Sequence, residues 1–124
     1  MARRRISTTA GWAAVAAVES GDSAQLASAV RFLLEELAAI APGNSVEVRV
    51  PPYGATQCIE GPRHTRGTPP NTVEMSPEVW FAIATGKLAW ADAVAAAQIS
   101  ASGVRADISP VLPLVPQVPQ RVVE

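Results

Sequence analysis

Apolar residues recur at helical spacing in the first third of the chain. The positions that share one helix face are Leu26, Val30, Leu33, Leu34, Leu37 and Ile40. Asp22 stands at the N-cap position with Gln25 three residues later, and Pro42-Gly43 ends the pattern. The pattern therefore predicts an amphipathic helix between these signals. A shorter helix is predicted over Gly11 to Val18, ending near Ser20-Gly21.

The apolar period changes to two after this helix. The run VEVRV (residues 46–50) alternates valine with charged residues and is closed by Pro51-Pro52, which predicts a half-buried strand. The run ATQCI predicts a second strand antiparallel to the first. The run NTVEM predicts a third strand, after the turn-rich loop GPRHTRGTPP.

Helix-capping residues, glycines and prolines mark the ends of the predicted elements in the last third of the chain. Ser76-Pro77-Glu78 predicts a helix start, with a hydroxyl cap, a proline in the first turn and a carboxylate near the positive end of the helix. Gly86 suits the left-handed position that ends this helix. A second, alanine-rich helix is predicted over Trp90 to Gln98, followed by the short strand ISASG. Ser109-Pro110 repeats the helix-start pattern, and the prolines that follow keep the last helix short.

This order of elements predicts an α+β fold, in which helices cover a mostly antiparallel sheet. The length of 124 residues fits one domain, residues 1–124. Within it, we expect a partly ordered N-terminal segment at residues 1–22 and a flexible tail at residues 115–124.

Composition narrows the function classes. The formal net charge of −1 gives no general attraction to nucleic acid and at most transient contact with a membrane. The single cysteine excludes an internal disulfide, and no apolar run approaches the roughly 18 residues of a membrane span. We therefore expect a cytoplasmic protein.

The stretch ATGKLAW contains a Gly-Lys pair, which raises the question of a phosphate-binding loop. That loop needs a glycine five positions before Gly86, where Phe81 stands, and a hydroxyl residue after Lys87, where Leu88 stands. The nucleotide interpretation therefore fails, and the pair is better explained as a turn between two helices.

Catalytic and metal-binding residue types are sparse. Cys58 lies in a predicted strand and is expected to act as a small apolar residue, with a Cys58–His64 dyad as the alternative. One cysteine and one histidine do not supply a metal site, and nothing implies a cofactor. Arg63, His64 and Arg66 share a loop that could contact an anion, a lipid headgroup or a protein partner, although an ordinary polar loop is the favoured explanation.

The segment from Pro77 to Leu114 places a helix, the Gly86-Lys87-Leu88 turn, a second helix, a strand of small residues ending at Gly103, and an apolar stretch in one order. In this order it resembles the C-terminal half of the sterol carrier protein type 2 superfamily. Over roughly residues 25–115 the chain is similar to the small stand-alone actinobacterial and mycobacterial sterol carrier family proteins.

The resemblance implies a sandwich with a curved, mostly antiparallel five-stranded sheet covered by helices on one side. It implies an apolar cavity between sheet and helices for a fatty acyl chain or sterol-like lipid, closed by the C-terminal segment, with no catalysis, metal or cofactor. The ligand-binding residues implied by position are Trp80, Ile83, Ala84, Leu88, Trp90, Val94, Ile99, Val111, Leu112 and Leu114.

The leading hypothesis is therefore a non-enzymatic carrier of a lipid or another hydrophobic small molecule. The alternative is a protein–protein interaction or regulatory module on the same scaffold, in which the apolar C-terminal segment packs against a protein partner or a second copy in a homodimer. A Cys58-dependent enzyme is the third hypothesis.

Overall fold

The computed structural model describes residues 6–61 and 71–114. Within these ranges the chain forms four α-helices, four β-strands and two 3-10 turns. The elements are α1 (Thr8–Glu19), a 3-10 turn (Ser23–Gln25), α2 (Leu26–Ile40), β1 (Val46–Val50), β2 (Gly54–Cys58), β3 (Asn71–Met75), α3 (Pro77–Ala84), α4 (Trp90–Ala95), β4 (Ile99–Ser102) and a second 3-10 turn (Ser109–Val111). The α+β class is confirmed.

The strands form one open sheet in the order β2-β1-β3-β4. The β1–β2 and β3–β4 pairs are antiparallel, as the sequence predicted for the first of them, and the β1–β3 pair is parallel. The sheet is therefore mixed. The fifth strand that the resemblance implied is not among the described residues.

Alternation along the strands separates two faces of the sheet. In β1 the three valines are buried, whereas Glu47 and Arg49 point to the opposite face. In β3 Val73 and Met75 are buried and Glu74 is exposed. Because successive strand residues point to opposite faces, the valine face joins the core under the helices and the charged face meets solvent.

The second and third helices are joined through the core. The indole Nε1 of Trp80 in α3 donates a hydrogen bond to the Val30 carbonyl of α2 at 3.3 Å, and the whole Trp80 side chain is buried. A buried indole needs a partner for its N–H, and a helix carbonyl supplies one here. Trp80 is therefore a core residue that fixes α3 on α2.

The first helix packs closely against the second. Gly11 of α1 lies against the buried ring of Phe32 in α2, so closely that a Cβ atom at Gly11 would lie 2.1 Å from Phe32 Cδ1. Trp12 meets the same ring edge-to-face, with centroids 5.0 Å apart. The helix extends beyond the predicted Gly11–Val18 at both ends. Of the segment predicted as partly ordered, residues 6–22 are described and residues 1–5 lie outside the described ranges.

The start of α2 differs from the predicted capping box. The Asp22 carboxylate accepts a hydrogen bond from the Ala24 backbone N–H at 3.1 Å and caps the first 3-10 turn. Gln25 precedes α2 without a side-chain cap hydrogen bond. The predicted signals are at the right place, but a 3-10 turn intervenes before the α-helix begins.

Candidate functional site

Helix α3 begins and ends as its sequence predicts. The Ser76 hydroxyl accepts a hydrogen bond from the Val79 backbone N–H at 3.2 Å, with Pro77 in the first turn. At the other end Gly86 has a φ of +84°, and the backbone N–H groups of Gly86 and Lys87 bond to the Ile83 and Ala82 carbonyls. These two bonds form a Schellman motif, which releases the chain towards α4.

The Gly-Lys pair is part of this turn, where it serves to end the helix. Lys87 is more than half exposed, and its Nζ lies 2.9 Å from Glu19 Oε2 at the end of α1. An exposed pair of this kind contributes little free energy, about 0 to 1 kcal/mol. The pair joins the end of α1 to the α3–α4 turn.

The C-terminal segment returns to the same turn. The Leu114 backbone N–H donates to the Ala84 carbonyl at 2.8 Å, and the Leu114 side chain is fully buried. Upstream, hydrogen bonds from Ser109, through its hydroxyl and its backbone N–H, hold the pKa of Asp107 below its ordinary value. The Leu114 hydrogen bond therefore fixes the end of this segment against α3, and the Asp107–Ser109 hydrogen bonds hold the turn at its start.

Between this segment and the two helices lies an apolar cleft, which we call the α4 cleft. Its volume is about 360 Å³. The residues that line it are Ile83, Gly86, Leu88, Ala89, Trp90, Ala91, Ser109, Leu112 and Pro113. The walls carry aliphatic, aromatic and proline side chains with one hydroxyl, so the cleft suits the apolar part of a ligand.

The structure distributes the ten implied ligand-binding residues over three environments. Four of them line the α4 cleft: Ile83, which is itself buried with 1% exposure, Leu88, Trp90 and Leu112. Four others are buried in the core: Trp80, Ala84, Ile99 and Leu114. Of the remaining two, Val94 is 44% exposed on α4, and Val111 is half-buried in the last 3-10 turn and does not line the α4 cleft.

Five further cleft residues were not predicted: Gly86, Ala89, Ala91, Ser109 and Pro113. For Ser109 and Pro113 the reason is that their position depends on the fold. Pro113 touches the Gly86 turn so closely that a Cβ atom at Gly86 would lie 3.4 Å from the proline ring. Ser109 lines the cleft from the opposite end of the segment. In the sequence both residues appeared only as helix-start or helix-breaking signals, and neither pattern indicates which surface the segment contacts.

The Cys58 side chain is fully buried at the end of β2. Burial disfavours the thiolate and raises the pKa of Cys58 to about 11. A thiol in this state is a poor nucleophile at neutral pH, in agreement with the apolar role expected from sequence. His64, Arg63 and Arg66 lie outside the described residues. Within the described ranges no three His, Cys, Asp or Glu side chains come together as a metal site.

The chain was compared with known protein families. The model of one family, described as bacterial SCP ortholog, matches residues 22–114. The chain belongs to this bacterial sterol carrier protein family. A search of curated proteins found no match. The matched range agrees with the resemblance, and it begins after α1.

Membership in the bacterial sterol carrier family suggests a lipid-binding or carrier role at the level of the family. None of the helices in the described ranges has the length and apolar character needed to cross a membrane. The cytoplasmic location and the actinobacterial source remain predictions from the sequence.

Proposed function

We propose that this protein binds the apolar part of a lipid or other hydrophobic small molecule in the α4 cleft and carries it without chemical change. Two observations support the proposal: the sterol carrier family relationship and the apolar walls of the cleft. The observation that carries it is the convergence of Leu88 and Trp90, at the start of α4, with Leu112 of the C-terminal segment on one concave apolar surface.

The size of the cleft limits which ligands it can hold. A volume of about 360 Å³ lies at the small end of the range for ligand pockets, about 300 to 1,000 Å³. It suits one end of an acyl chain better than a whole lipid. Burial of four methylene groups would contribute about 3 kcal/mol before the costs of association. Useful affinity therefore requires contacts outside the cleft as well.

The proposal assigns roles to the predicted residues. Ile83, Leu88, Trp90 and Leu112 contact the ligand. The buried residues Trp80, Ala84, Ile99 and Leu114 support the walls from behind. Arg63, His64 and Arg66 remain predicted contacts for a headgroup or a partner.

A pair of matched variants tests the site. Leu88→Asp places a carboxylate in the cleft, whereas Val94→Asp places the same group on the exposed face of α4, a position that the resemblance also assigned to the ligand. Binding of fluorescent fatty acids of several chain lengths is measured for both variants and for the wild type. We expect Leu88→Asp to weaken binding at least tenfold, because an unpaired charge would have to lose its water, and Val94→Asp to bind like the wild type.

The possible results distinguish an error in the proposed carrier function from an error in the position of its binding site. If the wild type binds no fatty acid or sterol, the carrier function is wrong. If lipid binds but Val94→Asp weakens it and Leu88→Asp does not, the function stands and the α4 cleft is the wrong place.

A further inference from the structure

A second apolar concavity lies on another part of the surface, where α2 ends beside the last strand. We call it the Ile59 groove, and its volume is about 610 Å³. The residues that line it are Ala41, Pro42, Ile59, Glu60, Val104, Arg105, Asp107, Pro110 and Val111. None of them lines the α4 cleft, so its role requires a separate explanation.

One residue of the groove rim projects fully into solvent. Val104 is 100% exposed, on the turn that follows Gly103. The turn is anchored next to it, since the Arg105 backbone N–H donates to the buried Asn71 Oδ1 at 2.8 Å. Asn71 Nδ2 in turn donates to the Ser45 carbonyl at 2.8 Å. The valine is therefore an apolar knob on a supported turn, and it continues the apolar surface of the groove; a contiguous apolar patch with a polar rim is typical of contact surfaces.

The opposite wall of the groove is held in an unusual backbone conformation. Ile59 has a φ of +66°, in the left-handed region that branched side chains rarely adopt. The surroundings hold it there: the Ile59 N–H donates to the Ala41 carbonyl at 2.7 Å, and the Ser45 hydroxyl donates to the Ile59 carbonyl at 2.6 Å. Strain of this kind that the surroundings maintain is found preferentially at functional surfaces.

The charges on the rim complement one another. Arg105 beside the knob is a cation, whereas Glu60 and Asp107 on the groove are anions. A two-fold axis presents the same patch on both subunits, so each knob can meet the other groove and each cation can meet the other anions. A groove that carried charges of one sign would repel its own copy.

We propose that the Ile59 groove is a symmetric interface between two copies of this chain, with Val104 of each copy seated in the groove of the other and Arg105 paired with Glu60 across the interface. The residues that form this interface do not line the α4 cleft. It does not depend on the proposed lipid function.

Sedimentation velocity over a concentration series up to the millimolar range tests the interface. The wild type is expected to change from monomer to dimer within the series. Val104→Ser is expected to weaken dimerisation about tenfold or more, because the buried aliphatic contact is lost. Val94→Ser is the matched control, since Val94 is also an exposed valine but lies on α4 outside the groove. It should dimerise like the wild type.

A charge exchange tests the pairing across the interface. Arg105→Glu and Glu60→Arg are each expected to be monomeric alone, because each opposes like charges at the interface. Mixed in equal amounts they should form a heterodimer, since the pair between positions 105 and 60 in each half of the interface then joins opposite charges. A wild type that stays monomeric throughout, or a mixture that stays monomeric, overturns the proposal. So does a monomer in which Val104→Ser reduces only lipid binding, because the groove would then be a ligand site.

Discussion

Substitution of Gly11 by alanine tests whether α1 is an integral part of the domain, although the family match begins only at residue 22. Two effects of opposite sign compete. Alanine is the better helix former by about 1 kcal/mol, so an undocked helix would be stabilised. In the docked helix the new Cβ would lie 2.1 Å from Phe32 Cδ1, where ordinary carbon contacts are about 3.5 to 4.0 Å.

The cost of the overlap with Phe32 should exceed the gain in helix propensity. Phe32 is fully buried and cannot turn out to solvent, so α1 would have to shift by more than an ångström. Overpacking of this kind costs about 1 to 3 kcal/mol, and the severity of the overlap places this case near the upper value. After the gain in helix propensity, we expect a net loss of about 2 kcal/mol in the free energy of unfolding, measured by urea denaturation followed by circular dichroism.

Two further variants make the result decisive. Ala13→Gly, on the exposed face of α1, should cost about 1 kcal/mol through propensity alone. In a Phe32→Leu background, which creates room beside residue 11, Gly11→Ala should lose most of its cost. A Gly11→Ala protein more stable than the wild type would show that the helix is not docked on Phe32, and the reasoning would be refuted.

Two other predictions concern single positions. Ala97 ends α4 in the left-handed region at φ +59°, in the same Schellman arrangement as Gly86, with the Gln98 N–H bonded to the Ala93 carbonyl. An alanine in the left-handed region costs about 1 to 2 kcal/mol, and glycine removes this strain. Because glycine also gives the unfolded chain more conformational entropy, part of the benefit is lost, and Ala97→Gly should raise the free energy of unfolding by about 0.5 to 1 kcal/mol, measured by thermal unfolding. The control Ala95→Gly, at the last helical residue of α4, should destabilise, and equal effects at the two positions would contradict the assignment. The second prediction concerns pH. The pKa of Cys58 is raised from 9.0 to about 11 in the folded state, so the burial of its neutral thiol contributes fully below pH 9 and the contribution is lost as the pH rises towards 11. Urea titrations should show a decline of about 2 kcal/mol over this interval that Cys58→Ala lacks, and parallel pH profiles for the two proteins would contradict the burial of the thiol.

The local elements could be predicted because their causes lie within a few residues. The alternating valines of β1 need only the period of a strand, and the cap of Ser76 on Val79 needs only one turn of helix. The left-handed glycine at position 86 is determined equally locally. The capping box at Asp22 shows the limit: the right residues were present, but the geometry of one turn shifted the start of α2 to Leu26.

The candidate site could be predicted only in part, since contact with the cleft depends on how α3, α4 and the C-terminal segment meet. Trp80 and Trp90 looked equivalent in the sequence as apolar aromatics on neighbouring helices. The tertiary structure buries Trp80 against the Val30 carbonyl and places Trp90 at the cleft. Pro113 and the Gly86 turn, far apart in the chain, become neighbours through the Leu114–Ala84 hydrogen bond.

The sequence by itself therefore determined the kind of element at each position, because hydrophobic period, caps and turn residues act over one or two turns of chain. Only the tertiary structure decided which apolar residues fill the core and which face an opening, because burial depends on residues that approach from distant parts of the chain. The same reason explains why the Ile59 groove, assembled from the ends of α2 and β2 and the turn after β4, left no signal in the sequence pattern.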